Sequence, residues 1–159
     1  MTKELCAAEK ISKYETKLLK TAALFHDSGF TQIYQNHEEE GCKIAQEHLP
    51  KFEYSKEEIE RICGMIMATK IPQSPQNKLE EIICDADLDY LGREDFYSIG
   101  NSLFEELRNK GVLSDVESWN KIQVGFLKAH NYFTSTNLDR RAPQKQSFLK
   151  KLEALVATY

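Results

Sequence analysis

Residues that interrupt helices are scarce in this sequence, and positive charge is not in excess. Only 7 of its 159 residues are glycine and 4 are proline. Between them, apolar residues recur at three- and four-residue spacing without strand-like alternation, which argues against a β-rich fold and predicts helices. The 21 Lys and Arg are outnumbered by 25 Asp and Glu, a formal net charge of −4. This balance excludes a general nucleic-acid-binding protein.

Long apolar runs and a secretory signal are also missing. No apolar stretch approaches the roughly 20 residues that span a bilayer, and residues 1–10 lack the apolar core of a signal peptide. The four cysteines, none in a Cys-x-x-Cys pair, are Cys6, Cys42, Cys63 and Cys84. Their spacing within helix-like segments favours buried free thiols over a disulfide framework or a zinc site. We therefore expect a cytoplasmic protein without a membrane partner.

The length and composition suit one globular domain. At 41% hydrophobic and 29% charged residues, the chain has enough apolar surface to bury a core. The helical pattern covers seven segments, within residues 18–26, 37–48, 59–67, 79–91, 96–107, 119–126 and 148–156. We predict an all-α fold, a compact helical bundle that spans residues 1–159 as a single domain with short connections.

Capping residues predict where several helices begin and end. Gly29 is expected to cap the first helix at its C-terminus. Asn36 is expected to cap the second helix at its N-terminus, with Glu39 three residues on. Ser55 and Glu58 have the spacing of a capping box at the start of the third helix.

An adjacent histidine and aspartate interrupt the apolar stripe of the first helix. His26 lies four residues after Ala22 and seven after Leu19, so its imidazole belongs on the buried face at the helix end. Asp27 follows directly, and at a helix end both side chains can turn toward one cation. For an isolated pair, a hydrogen-bonded core histidine beside a solvated aspartate is the ordinary interpretation.

Three carboxylates interrupt the fourth helical segment. Asp87 lies four residues from both Ile83 and Leu91 and therefore along the apolar stripe. A buried carboxylate costs several kcal/mol unless a cation or hydrogen bonds offset the loss of water, which makes Asp87 the strongest single functional candidate. Asp85 and Asp89 project from another side and are interpreted as surface acids, or, for Asp85, as a hydrogen-bond partner of a bound ligand.

The order of these motifs resembles the HD-domain superfamily of metal-dependent phosphohydrolases. The segments that carry the resemblance are ALFHDSGF, NHEEEGCKIAQEHLP and ICDADLDYLGR. The resemblance implies an HD-like fold in which His26, Asp27 and Asp87 bind a divalent cation, either Mn²⁺, Mg²⁺, Fe²⁺ or Zn²⁺. It also implies an enzyme that cleaves a small phosphorylated substrate, such as a nucleotide, with a metal-activated water that Asp27 orients.

One family feature has no counterpart in the sequence. Family members take their first metal ligand from a histidine on an earlier helix, and Met1 stands about where that histidine would be. We therefore expect a domain without the usual N-terminal helix and first His ligand, and weakened metal binding. The alternative function is a catalytically degenerate HD-like module that binds a ligand or a partner. The sequence leaves the oligomeric state open.

Three further residues are weighed by their positions. His37, at the start of the second helix, is either an additional ligand or substrate contact, or a polar residue that suits a helix start. Lys70 and Arg93 are candidate cations for the substrate phosphate, and each equally suits a solvated helix end. Two-metal family members often carry a histidine where Thr69 or Lys70 stands, so the resemblance argues against a second metal site.

Overall fold

The computed structural model describes residues 1–159, which form nine α-helices and no strand. The helices are α1 (Thr2–Ala8), α2 (Lys13–Phe25), α3 (His37–His48), α4 (Lys56–Ala68), α5 (Lys78–Asp87), α6 (Phe96–Asn109), α7 (Val116–Ala129), α8 (Ser135–Arg140) and α9 (Ala142–Val156). Short 3₁₀ helices at Ser28–Thr31, Leu49–Phe52 and Asp89–Gly92 follow α2, α3 and α5. The all-α prediction is confirmed. No helix combines the length and apolarity needed to cross a membrane.

Two short helices are not predicted by the sequence pattern. Helices α1 and α8 have 7 and 6 residues, fewer than two turns, so apolar residues have no room to repeat at helical spacing. The start of α8 is set by Thr134, whose side chain accepts a hydrogen bond from the backbone N–H of Asn137. Local capping therefore defines this helix where periodicity cannot.

The predicted caps have mixed outcomes. The Ser55 hydroxyl accepts from the Glu58 N–H, and the Glu58 carboxylate accepts from the Ser55 N–H, which confirms the capping box. Asn36 precedes α3 as predicted, but its backbone is left-handed (φ 58°) and its side chain makes no capping hydrogen bond. Helix α2 ends at Phe25, so Gly29 is not its cap and lies inside the following 3₁₀ helix.

The chain divides into two compact units, Met1–Asp87 and Leu88–Tyr159. The first unit holds α1 to α5, and α5 packs against α1, α2 and α4. Its fully buried side chains include Leu18, Leu19, Ile62, Ile66 and Ile82. Removal of this apolar surface from water is the main force that holds the five helices together. A single domain over residues 1–159 stays a prediction.

The second unit holds α6 to α9 around its own core. Phe96 stacks on Phe148 with 4.8 Å between ring centroids. Asp89 is buried in this unit, and its Oδ1 accepts from Arg141 Nε at 2.8 Å. Arg93 lies 3.5 Å from the other oxygen of Asp89. A buried carboxylate is thus balanced by two guanidinium groups.

All four cysteines are free, as predicted. Cys6, Cys42 and Cys84 are buried, and Cys63 is half-buried. Cys84 Sγ donates to the Ala68 carbonyl at 3.1 Å. Burial raises the pKa of both Cys6 and Cys84, so these two thiols are poor nucleophiles at neutral pH.

A buried histidine and lysine face each other in the second unit. Lys145 Nζ donates to the His130 carbonyl and lies 3.3 Å from His130 Nδ1. Burial, followed by the positive charge of Lys145, lowers the pKa of His130 to about 4. The imidazole therefore stays neutral in the folded protein at pH values where an ordinary histidine is charged.

We expect acid to destabilise the protein through His130. Between about pH 6.5 and pH 4, His130 binds a proton in the unfolded chain but not in the folded chain. The free energy of unfolding therefore falls as the pH decreases. The full pKa shift corresponds to about 3 kcal/mol. Urea denaturation of wild type, His130→Phe and the exposed-residue control His48→Phe across this range measures the effect. His130→Phe should reduce the pH dependence, His48→Phe should not, and an unchanged slope in His130→Phe would contradict the prediction.

Candidate metal centre

Three predicted site residues converge at the C-terminal ends of α2 and α5. His26 is the residue directly after α2, and Asp87 is the last residue of α5. His26 Nε2 lies 3.3 Å from Asp27 Oδ2 and 3.3 Å from Asp87 Oδ1. The fold therefore gathers one imidazole and two carboxylates from two helices that are distant in sequence.

The backbone of α2 fixes the orientation of the His26 ring. His26 Nδ1 lies 2.9 Å from the Ala23 carbonyl and donates to it, so Nε2 is the nitrogen that faces the carboxylates. Burial by itself would lower the pKa of His26, but the hydrogen bond and charge of Asp87, with the charge of Asp27, raise it to about 8. Partial desolvation outweighs the attraction of His26 and raises the pKa of Asp27. The protonation of one group in the cluster therefore changes the pKa of the others.

His37 approaches the same cluster from the start of α3. Its Nε2 lies 3.7 Å from Asp27 Oδ1 and 3.5 Å from Glu38 Oε1. Asp27 therefore directs one oxygen to each of two imidazoles. Glu38 is buried beside His37 and was not among the predicted site residues. Its spacing of four and seven residues before the buried Cys42 and Ala45 was the signal for an inward position.

Two glycines let the 3₁₀ helix after α2 lie directly against α3. A Cβ on Gly29 would lie 1.9 Å from the His37 carbonyl oxygen, and a Cβ on Gly41 would lie 2.8 Å from the Phe25 carbonyl oxygen. The backbones can come this close only where a side chain is absent. Gly29 is therefore required for close approach and not as the helix cap that the sequence predicted.

We expect Gly29→Ala to destabilise the protein by about 1–3 kcal/mol, as overpacking of a close contact does. The new methyl group must displace the backbone of His37. Gly125→Ala is the control, because no atom lies within 4 Å of its added Cβ, and alanine is the better helix former. Calorimetric melting should show a lower Tm for Gly29→Ala only. If Gly29→Ala and wild type had the same Tm, the prediction would be wrong, because the turn would accommodate the methyl group without loss of stability.

Exposed aromatic side chains lie beside this cluster. The Phe30 ring stacks on His37 with 3.6 Å between centroids and 17° between planes, and the Tyr34 ring lies 5.5 Å from Phe30. Phe30 is 45% exposed and Tyr34 is 50% exposed. The stacking holds the plane of the His37 imidazole, and we refer to Phe30 and Tyr34 as the aromatic surface.

The burial of the three carboxylates differs from the prediction. Asp85 is 0% exposed and Asp89 is also buried, so neither is a surface acid. The Asp87 side chain is 24% exposed and is the least buried of the three. The physical reason is that α5 has neighbours on several sides, so its apolar stripe does not mark its only buried face. Asp87 nevertheless meets His26.

The two predicted phosphate-binding cations are both paired with acids. Lys70 Nζ donates to Asn36 Oδ1 at 3.0 Å and to the Glu39 carboxylate, and the hydrogen bond to Glu39 raises the pKa of Lys70. Neither contact involves the carboxylates of Asp27 and Asp87. Arg93 belongs to the second unit, where its Nε donates to Asp95 at 2.9 Å.

The donor atoms are of the types that bind a divalent cation, although the side chains are not arranged as a complete metal site. No group of three or more His, Cys, Asp and Glu side chains is arranged to hold a metal ion as the side chains stand. The separations of 3.3 Å from His26 Nε2 match neighbouring ligands bonded at about 2.0–2.1 Å to one tetrahedral centre. The Asp27 side chain is 59% exposed and has room to rotate. Imidazole nitrogens and carboxylate oxygens are both ordinary ligands of divalent metals.

A comparison with known protein families identifies the family to which the chain belongs. The family model for the HD domain matches residues 3–89, more than half of the chain. The chain therefore belongs to the HD-domain family, a superfamily of metal-dependent phosphohydrolases whose members typically bind divalent metals. The resemblance inferred from the motifs is confirmed. No curated protein and no solved structure matches the chain.

Proposed function

We propose that the protein is a metal-dependent phosphohydrolase that cleaves a small phosphate ester, with a nucleotide as the favoured substrate. The observation that carries this proposal is the approach of His26 Nε2 to the carboxylates of Asp27 and Asp87 at 3.3 Å each. Membership of the HD-domain family supports the reaction class. The four free thiols support a reducing compartment such as the cytoplasm.

In the proposed site, His26, Asp27 and Asp87 hold one divalent cation, either Mn²⁺, Mg²⁺, Fe²⁺ or Zn²⁺. When bound, such a cation supplies a Lewis acid for the phosphoryl oxygens and makes water more acidic. Donation from His26 Nδ1 to the Ala23 carbonyl keeps Nε2 turned to the ligand side. Asp27 Oδ1 accepts a hydrogen bond from the attacking water and so orients it.

His37 and Asp85 have supporting roles in this proposal. The 3.7 Å approach of His37 Nε2 to Asp27 Oδ1 supports a role as an additional ligand or a contact to the substrate phosphate. The complete burial of Asp85, two residues before Asp87, supports a role in fixing the end of α5 through hydrogen bonds. Lys70 and Arg93 stay candidates for phosphate contact, and each would have to exchange an acidic partner for the substrate.

The aromatic surface supports a substrate with a planar group. Phe30 stacks on His37, so a base that contacts Phe30 or Tyr34 would belong to a molecule whose phosphate reaches Asp27. Stacking of a base on an aromatic side chain contributes about 1–3 kcal/mol. This contribution would favour a nucleotide over a phosphate ester of a small alcohol.

Removal and return of metal test the proposed activity. The protein is treated with EDTA, dialysed and assayed with p-nitrophenyl phosphate, nucleoside 5′-monophosphates and glycerol 3-phosphate, with and without each divalent ion. We expect phosphate release only with added metal, and the largest kcat/KM for a nucleotide. Tyr34→Ala should lower kcat/KM for nucleotides by about tenfold, as loss of one stacking contact implies, and leave that for glycerol 3-phosphate unchanged.

The same substrates, with calorimetry added, test the alternative function. Calorimetric binding of a nucleotide without turnover under any metal condition would favour the degenerate ligand-binding module. Turnover that is equal with and without EDTA would contradict metal dependence itself.

A further inference from the structure

Cys42 of α3 and Cys63 of α4 face each other where the two helices pack. Cys42 Sγ donates to the Cys63 carbonyl at 3.5 Å, and Cys63 Sγ donates to the Cys42 carbonyl at 3.8 Å. Each thiol therefore touches the backbone of the other residue. Such reciprocal contacts require a close approach of the two backbones, as does a disulfide, whose Cα atoms are about 4.4–6.8 Å apart.

The two thiols differ in exposure. Cys42 is buried, whereas Cys63 is half-buried. Because thiol–disulfide exchange requires access of the disulfide to the attacking sulfur, Cys63 is the thiol that reacts first with an oxidant from solvent.

We propose that Cys42 and Cys63 form a site of reversible oxidation by small-molecule disulfides of the glutathione class. The Cys63 thiolate attacks one sulfur of the disulfide RSSR, which gives a mixed disulfide and releases one thiolate, RS⁻. The Cys42 thiol then gives up its proton and attacks the Cys63 sulfur, which forms the Cys42–Cys63 bond and releases the second RS⁻. The two RS⁻ take up the two protons that the protein thiols lose. One RSSR is thus reduced to two RSH as two protein thiols are oxidised.

The bond would tie α3 to α4 next to the candidate centre. Cys42 lies one turn after Glu38 on the helix that begins with His37. The cross-link would therefore fix the helix that carries His37, whose Nε2 lies 3.7 Å from Asp27 Oδ1. The chemistry itself requires neither a bound metal nor phosphohydrolase activity, so it is independent of the proposed function.

Mass spectrometry of the full-length protein tests the proposal. The reduced protein is incubated with glutathione disulfide, quenched with acid, alkylated in urea and digested. Before alkylation, we expect an intact mass lower by two hydrogens, and after digestion, one cross-linked peptide pair that joins Cys42 to Cys63. Cys6 and Cys84 should remain alkylated, and dithiothreitol should restore four alkylated cysteines.

Matched serine variants separate the two roles. Cys42→Ser should stop at a glutathione adduct on Cys63, because the resolving thiol is missing, and Cys63→Ser should give neither adduct nor cross-link. Cys6→Ser and Cys84→Ser should form the cross-link as wild type does. Peptide mapping of wild type alone decides the pairing if a variant fails to fold. Four alkylated cysteines after oxidation, or a bond that involves Cys6 or Cys84, would overturn the proposal.

Discussion

Asp87→Asn is expected to reduce metal-dependent phosphate release by at least about 100-fold in kcat/KM. The substitution keeps the size of the side chain but removes the negative charge that lies 3.3 Å from His26 Nε2. Loss of an outer partner of a metal ligand already costs about 10- to 100-fold in affinity or activity, and loss of a ligand should cost no less. Binding of Mn²⁺, measured by calorimetry, should weaken in parallel.

Glu47→Gln is the matched control, because it removes a charge of the same sign from an exposed position on α3. It should leave both kcat/KM and Mn²⁺ binding unchanged. The melting temperature of Glu47→Gln should stay close to that of wild type, and that of Asp87→Asn should fall by only about a few degrees at neutral pH, because the attraction between Asp87 and His26 is lost. If Asp87→Asn retained full activity, Asp87 would not be a metal ligand, and the assignment of the site would fail.

Arg141→Met is expected to lower the free energy of unfolding by about 1–3 kcal/mol, the cost of removing one partner of a buried acceptor, because Arg93 stays 3.5 Å from the other oxygen of Asp89. Asp89 is buried, and its Oδ1 accepts from Arg141 Nε at 2.8 Å. Methionine retains much of the apolar stem of arginine but leaves this carboxylate without its best donor. Denaturation in urea should show a lower midpoint with little change in slope.

Two further variants identify the cause of this loss. Arg140→Met removes an equal charge from the exposed neighbouring position, and we expect a change of no more than about 0.5 kcal/mol. The double variant Asp89→Asn with Arg141→Met removes both charges and should recover part of the stability. A double variant no more stable than Arg141→Met alone would indicate that packing of the arginine, and not its charge, is what matters.

Helical class and the central residues of the site could be predicted from the sequence because each is encoded locally. The three- and four-residue spacing of apolar side chains reflects the helical repeat whatever the neighbours are. The same repeat put His26 at the inward end of α2, and the motif order linked it to Asp87. The Ser55 capping box was predictable for the same reason, since its partners are three residues apart.

The remainder depended on contacts between elements. The relative burial of Asp85 and Asp87 is decided by which helices surround α5, and a single helical phase does not carry that information. The pairing of Lys70 with Glu39 joins the end of α4 to the start of α3. The sequence predicts a helix cap at Gly29, and that prediction is wrong because the close neighbour of Gly29, the backbone of His37, is supplied by another helix and leaves no local signal.

The stacking of Phe30 on His37 gives one aromatic ring two roles at the site. The turn that carries Phe30 is pressed against α3 through Gly29, and its exposed ring shares a face with the imidazole. Removal of the Phe30 ring would therefore expose one face of the His37 imidazole, so the aromatic surface also shields a residue of the candidate centre from water.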